Sequence, residues 1–305
     1  MLGEWIIVTP SRAERPFQDT SIECPFCPND IETGQDWKVT TLDNKYSALN
    51  PEVGLLPLDA QYVMEAPAHG HCKVIVLSPD HEEQLELMGD EQIERVFKEY
   101  LRVFRELDTE SGIEYVFEFE NRGKSIGISL EHPHAQAYAL PFIPNRIRQE
   151  LKQFQKKWRE EGKCLVCEIL DNELKTQTSR IIKETSHFVS FVPFFARLPY
   201  EVHIYPREHV ASLTDLEDKL LELGTVVRDI IRRYANLFDE MAYVMAFHTR
   251  PSTGDHPYWH FHIELYPPWR DRSRFKYLAG LETGAGTYTN DSLPEATAKE
   301  MRDAL

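Results

Sequence analysis

Apolar positions along the chain recur with two periods. In residues 73–77, "KVIVL", and 115–119, "YVFEF", β-branched and aromatic side chains crowd into runs of strand length. Between them, "DEQIERVFKEYLRVFREL" places Ile93, Val96, Phe97, Tyr100, Leu101 and Phe104 on one stripe of a helix. The segment "LEDKLLELGTVVRDIIRRYANLF", residues 216–238, fills the same slot later in the chain. Asn145 to Glu161, "NRIRQELKQFQKKWREE", predicts a helix linking these regions, and "LPEATAKEMRDAL" a closing one. In "SLEHPHAQAYALP", Ser129 to Pro141, strand alternation would turn His132, His134 and Gln136 to one face. Three polar groups on one face of an apolar segment need a metal, a substrate or a hydrogen-bonded core to occupy them.

The pattern repeats. Shifted by 128 residues, "KVIVLSPDH" falls on "EVHIYPREH", "EYVFEFENR" on "AYVMAFHTR" and "HPHAQAY" on "HFHIELY". His81 lands on His209 and His132 on His260 without a gap, since both pairs are 51 residues apart. Each half also carries one Cys-x-x-Cys, "ECPFC" and "KCLVC". An internal duplication accounts for this order. The expected architecture is α+β, two similar antiparallel sheets with helices packed on them, divided into halves at residues 1–150 and 151–305.

Composition narrows the function. A chain of 305 residues is comfortable for two domains. With 34 Lys+Arg against 50 Asp+Glu, the formal charge of −16 offers no basic face to a nucleic acid. The start, "MLGEWIIVTPSRAERPF", resembles neither a signal peptide nor a membrane span, so a cytoplasmic, membrane-free protein is expected. Four of the five cysteines sit in Cys-x-x-Cys pairs, which suits metal binding in a reducing compartment better than a disulfide framework.

Zinc takes about four thiolate or imidazole ligands, and a tight Cys-x-x-Cys turn supplies two. The first half offers Cys24, Cys27, His81 and His132, and the second Cys164, Cys167, His209 and His260. Taken singly, such motifs read as redox pairs or buried thiols with satisfied histidines. Parallel sets favour two structural zinc sites, saturated by protein and without an open position. His134 and Gln136 are then left over. A neutral imidazole can attack phosphorus, and an amide on the same face can donate to a phosphoryl oxygen. "ENRGKSIGIS", with Asn121, Gly123, Gly127 and Ser129, adds small residues and donors for a close phosphate approach. Pro133, a stiff residue without an amide, would hold the metal ligand and the nucleophile at a fixed separation.

"HPHAQ" preceded by "FENRGKSIGIS", with "YWHFHIELYPPW" and "RSRFKYLAGLE" downstream, resembles galactose-1-phosphate uridylyltransferase, a branch of the histidine-triad superfamily. The resemblance runs from "EWIIVTPSRAERPF" to the last helix. It implies a ping-pong transfer of UMP from UDP-glucose to galactose 1-phosphate through a uridylylated His134, with Gln136 stabilising the phosphoryl oxygens. It also implies that Ser129 and Asn121 contact the nucleotide phosphates, that Arg12 and Arg15 lie near the substrate and that Asn44 contacts uridine. Lys276, Tyr277 and Glu282 match the family's sugar-phosphate pocket. Homodimers that borrow site residues across their interface are implied, and no organic cofactor.

Some family members carry a second metal site of one glutamate and three histidines, and the matching positions are Glu150, His248, His262 and Glu264. One histidine is thus a carboxylate, a set that suits a harder metal such as iron. The cysteine set is the preferred second zinc site. His262 is the counterpart of His134 by the repeat, but a carboxylate at Glu264 would repel a phosphate, so no active site is expected in the second half. Two other readings stay open. One is an ADP-sugar or dinucleotide phosphorylase of the same superfamily, since the glutamine that follows the family's sugar-pocket glutamate is missing from "LETGAGTYTND". The other is a non-catalytic, zinc-stapled nucleotide-binding protein.

Overall fold

The computed structural model describes residues 3–10, 24–28, 32–55 and 64–305, so Arg12 and Arg15 lie outside the described residues. Nine strands are formed there: β1 (Thr40–Asp43), β2 (His71–Val76), β3 (Tyr115–Arg122), β4 (His134–Leu140), β5 (Ile181–Glu184), β6 (Phe188–Phe191), β7 (Val202–Pro206), β8 (Tyr243–His248) and β9 (His262–Tyr266). Six α-helices accompany them: α1 (Asp90–Asp108), α2 (Asn145–Glu161), α3 (Leu165–Lys175), α4 (Leu220–Leu237), α5 (Gly280–Ala285) and α6 (Pro294–Asp303).

All nine strands pair antiparallel in the order β1-β2-β4-β3-β8-β9-β7-β6-β5. The α+β class is as expected, but the two half-sheets are continuous. β3 pairs with β8, Phe119 opposite Ala246 and Asn121 opposite Val244. Left apart, each half would expose an edge of unpaired N–H and C=O groups; joining them satisfies both.

The predicted α1 stripe is buried as a unit. It packs with α4 on one face of the sheet, against Ala135, Ala137, Val202, Ile204, Met245, Phe247, Ile263 and Leu265. The helices touch closely at Gly224, where a Cβ would stand 2.4 Å from Ile93 Cγ2 and 2.8 Å from Phe97 Cδ2. On the opposite face α2 and α3 bury Ile147, Leu151, Phe154, Val166 and Leu170 with Tyr205 and Trp259. That cluster also takes in Cys72, Tyr115 and Leu140 at one end of the first half-sheet, and it leaves the same face open around His134 and Gln136, where a cavity forms.

Register corrects the ungapped repeat. Phe119 pairs with Gln136, and Ala246 with Glu264, so His248 is the spatial counterpart of Asn121, an offset of 127. Val74 pairs with Gln136, and His203 with Glu264, an offset of 129. A shift of one residue exchanges the faces of a strand. His203 and His248 therefore emerge on the open-face side of the sheet and not in the helical core.

Glu118 and Glu120 of β3 point into the helical layer, opposite Ala137 and Ala135, whose small side chains leave room for them. Tyr243 donates to Glu120 Oε1 at 2.8 Å, while Glu120 Oε2 and Glu118 Oε1 have no hydrogen-bond partner. Burial raises the Glu120 pKa to about 7, against the pull of the Tyr243 hydrogen bond and of Arg122. The folded chain thus keeps a proton that the unfolded chain releases near pH 4.5, and stability falls as pH rises from 4.5 to about 7. Glu120→Gln keeps an acceptor for Tyr243 and is expected to remove about 3 kcal/mol of that loss. Denaturant titrations at about pH 5 and pH 8 measure this, and a variant as pH-sensitive as its parent contradicts it.

Candidate active site and metal centres

Ala135 and Ala137 of β4 face the helices, so alternation turns His134, Gln136 and Tyr138 to the open face. There they line a cavity of about 480 Å³. Phe26, Asn44, Val74, Phe119, Asn121 and Ser129 are among its other walls. His134 Nδ1 donates to the carbonyl of His132 at 2.8 Å. That bond places the proton on Nδ1, so the ring's lone pair is on Nε2. The Asn44 side-chain oxygen accepts from the Tyr46 amide at 2.9 Å, and its backbone N–H donates to Cys72 O at 2.8 Å, so the residue is clamped at the rim. Gly123 and Gly127, at φ 94° and 80°, turn the segment between β3 and Ser129 in conformations that favour glycine.

The first Cys2His2 set adjoins this cavity. The ligand atoms of Cys24, Cys27, His81 and His132 all lie within 4.8 Å of one another. His132 Nδ1 stands 3.6 Å from Cys24 Sγ and 3.7 Å from Cys27 Sγ, and His81 Nδ1 3.6 Å from Cys27 Sγ. His132 Nε2 donates to Ser78 O at 2.7 Å, so Nδ1 turns its lone pair to the sulfurs. Burial lowers the His132 pKa to about 4, which keeps the imidazole in its ligating, neutral form. Two thiolates and two neutral imidazoles within reach of one point fit tetrahedral zinc. Phe26, inside the Cys-x-x-Cys turn, rests against His134 with ring centroids 5.4 Å apart. The turn therefore also shapes the pocket wall.

The second set repeats the design. Cys164, Cys167, His209 and His260 meet the same 4.8 Å limit. His260 Nδ1 lies 3.8 Å from Cys164 Sγ and 3.5 Å from Cys167 Sγ, and its Nε2 donates to Pro206 O at 3.0 Å. Hydrogen bonding from the Cys167 thiol pulls the Cys164 pKa down to about 4, while its bond to Cys164, together with burial, pushes Cys167 up.

The N-terminal-domain model of the galactose-1-phosphate uridyl transferase family matches residues 1–144, and its C-terminal-domain model matches residues 150–305. The chain belongs to this family. It is 36% identical to the galactose-1-phosphate uridylyltransferase of Thermotoga maritima, over 99% of this chain and 96% of that one. A solved uridylyltransferase structure matches with a TM-score of 0.90 at 33% identity, covering 100% of this chain and 96% of its own. The structure of an ADP-glucose phosphorylase from Arabidopsis thaliana with bound ADP-glucose matches with a TM-score of 0.79 at 27% identity, covering 98% and 95%. The uridyl transferase family is one of enzymes.

In this member of the uridyl transferase family, Glu150, His248, His262 and Glu264 form a third cluster, separate from the cysteine sets. The sequence offers them as rivals of Cys164 and Cys167 for one metal, yet the fold assembles both clusters. Glu150 Oε2 stands 2.9 Å from His248 Nδ1, and Glu264 Oε2 3.4 Å from His248 Nε2. His262 Nδ1 donates to His260 O at 3.0 Å, as His134 does to His132. Burial opposes charging of His248, but Glu150 and Glu264 outweigh it and raise its pKa to about 9. Three residues that the strand pattern did not reveal join this cluster. His203 Nε2 lies 2.8 Å from Glu201 Oε1 and 3.2 Å from Glu264 Oε1, and Arg197 Nη2 is 3.0 Å from Glu264. The one-residue slip of β7 hid His203, and Arg197 lies in a loop without periodicity. Carboxylates and imidazoles of this kind could hold a hard divalent ion.

Lys276, Tyr277 and Glu282 do not reach the His134 cavity within this chain. Lys276 Nζ donates to Thr289 Oγ1 at 2.9 Å and lies 3.5 Å from Glu282 and 3.7 Å from Asp291. Hydrogen bonds from the Thr289 hydroxyl and from backbone amides lower the Glu282 pKa to about 2. Tyr277 is 75% exposed, and no helix among the described residues is long and apolar enough to cross a membrane.

Proposed function

We propose that the chain is a UDP-glucose:hexose-1-phosphate uridylyltransferase working by ping-pong transfer through His134. The observation that carries this reading is the His134 Nδ1 to His132 carbonyl bond of 2.8 Å, which leaves Nε2 as a nucleophile beside Gln136, Asn121 and Ser129. Nε2 attacks the α-phosphorus of UDP-glucose, a P–N bond forms, and the P–O bond breaks with its electron pair leaving on glucose 1-phosphate. Galactose 1-phosphate then attacks the same phosphorus, and the imidazole departs. Two displacements of matched energy suit an exchange between two sugar phosphates. Gln136 donates to the phosphoryl oxygens, Asn121 and Ser129 hold the phosphates, Asn44 meets the base and sugar, and Arg12 and Arg15 complement the charge.

Lys276, Tyr277 and Glu282 would serve the site of a second copy in a homodimer, which accounts for their distance from His134. The halves, 1–150 and 151–305, would carry the nucleophile and the sugar-phosphate segment respectively. Cys24, Cys27, His81 and His132 would hold one zinc, and Cys164, Cys167, His209 and His260 another, each tying distant strands together. A cytoplasmic setting suits four reduced thiols.

Incubation with UDP-glucose and mass spectrometry of peptides tests the reading. A uridylyl increment is expected on the peptide containing His134 and none on that containing His262, because Glu264 takes the place of Gln136 there. No gain on His134 would point to a nucleotide-binding protein without chemistry. The likeness to the Arabidopsis phosphorylase, with no glutamine in the segment after Glu282, favours a second reading in which an ADP-sugar and inorganic phosphate are used. ADP-glucose against UDP-glucose as donor, and phosphate against galactose 1-phosphate as acceptor, separate the two.

A further inference from the structure

We infer that Tyr138 is a positioning residue whose hydroxyl turns the Gln136 amide so that its N–H groups face the reacting phosphate; this role rests on the transferase reading. The two side chains share a face of β4, and the Tyr138 hydroxyl donates to Gln136 Oε1 at 3.3 Å. Hydrogen bonds in unliganded sites are commonly long and tighten around the substrate. A primary amide has two orientations with opposite chemistry. With its oxygen held by Tyr138 it offers two donors to a phosphoryl oxygen; flipped, it offers a lone pair, which a phosphate repels.

Tyr138 is suited to this work because its ring is fixed. Phe119, opposite Gln136 in the ladder, meets it edge to face at 5.2 Å and is itself stacked on Phe117 at 5.2 Å. The second half supplies an internal comparison. Tyr266 follows Glu264 by the same two residues, but its hydroxyl accepts from Arg146 at 3.0 Å, and Glu264 is bound by Arg197 and the histidines. The tyrosine pairs with its neighbour in the strand only where that neighbour is an amide.

The test is a time course of uridylyl uptake on His134 from UDP-glucose for the wild type, Tyr138→Phe, Gln136→Ala and the double variant. Tyr138→Phe keeps the ring and is expected to slow uptake about five- to tenfold, with the KM for UDP-glucose within about twofold. In the Gln136→Ala background the same change is expected to have less than about a twofold effect, since no amide remains to be turned. Equal slowing in both backgrounds would assign Tyr138 to packing alone and overturn the inference, as would wild-type rates in Tyr138→Phe. Absence of uridylyl on wild-type His134 would instead overturn the transferase reading and this role with it.

Discussion

Replacing His134 by alanine is expected to lower UMP transfer by on the order of 10⁴-fold or more and to abolish the uridylyl increment on its peptide. The size follows from the role: removing the nucleophile removes both half-reactions, whereas removing a donor such as Gln136 only weakens each. The fold should tolerate the change. His134 is half-buried at the first position of β4, and its Nδ1 bonds a backbone carbonyl two residues away. The unfolding midpoint should therefore move by no more than about 4 °C. A coupled assay for glucose 1-phosphate release, with a thermal melt of the same sample, checks both parts. A His134→Ala protein that melts normally and transfers UMP at more than about a hundredth of the parent rate would end the proposed mechanism.

Loss of the first metal set should have the other large effect. In Cys24→Ser, Cys27→Ser we expect one zinc fewer per chain, about 4 kcal/mol less stability and a severe loss of transfer. The metal binds the assembled ligands and not the unfolded chain, so its absence withdraws binding energy from the fold. Activity suffers too because Phe26, inside that turn, packs on both His132 and His134, at 6.0 Å and 5.4 Å between ring centroids. In Cys164→Ser, Cys167→Ser one zinc should also be lost, but with the His134 pocket intact most of the uridylylation rate should survive. Metal content by mass spectrometry, zinc and iron measured together, reads both variants. If two metals per chain remained after loss of Cys164 and Cys167, the second ion would belong to Glu150, His248, His262 and Glu264.

Much of the fold was legible because it depends on local periodicity. The α2 limits, Asn145–Glu161, coincide with the predicted ones, and the α1 stripe is the buried stripe. The strands expected at 73–77 and 115–119 are realised as His71–Val76 and Tyr115–Arg122. The elements that were missed lack such periodicity. β1, β5 and β6 are four-residue strands, too short to show alternation. Helix α3 begins inside the Cys-x-x-Cys, where Cys164 Sγ caps the Cys167 amide at 3.5 Å, so a metal turn concealed a helix start.

Two Cys2His2 clusters and a His134/Gln136 pair on one face follow from sequence alone, because alternation in a strand and the reach of a Cys-x-x-Cys turn are consequences of covalent geometry. Other features needed the folded chain. The one-residue slips that bring His203 and His248 to Glu264 exist only in ladders between strands far apart in sequence. The same holds for the joining of the half-sheets through β3 and β8 and for the α2–α3 layer, whose cluster takes residues from both of them. Pairing register and layer packing are settled by hydrogen-bond and burial energies summed over distant segments, which no local window contains. So the groups that meet within one strand were readable from the sequence, while the meeting of His203 and His248 with Glu264 belonged to the tertiary structure.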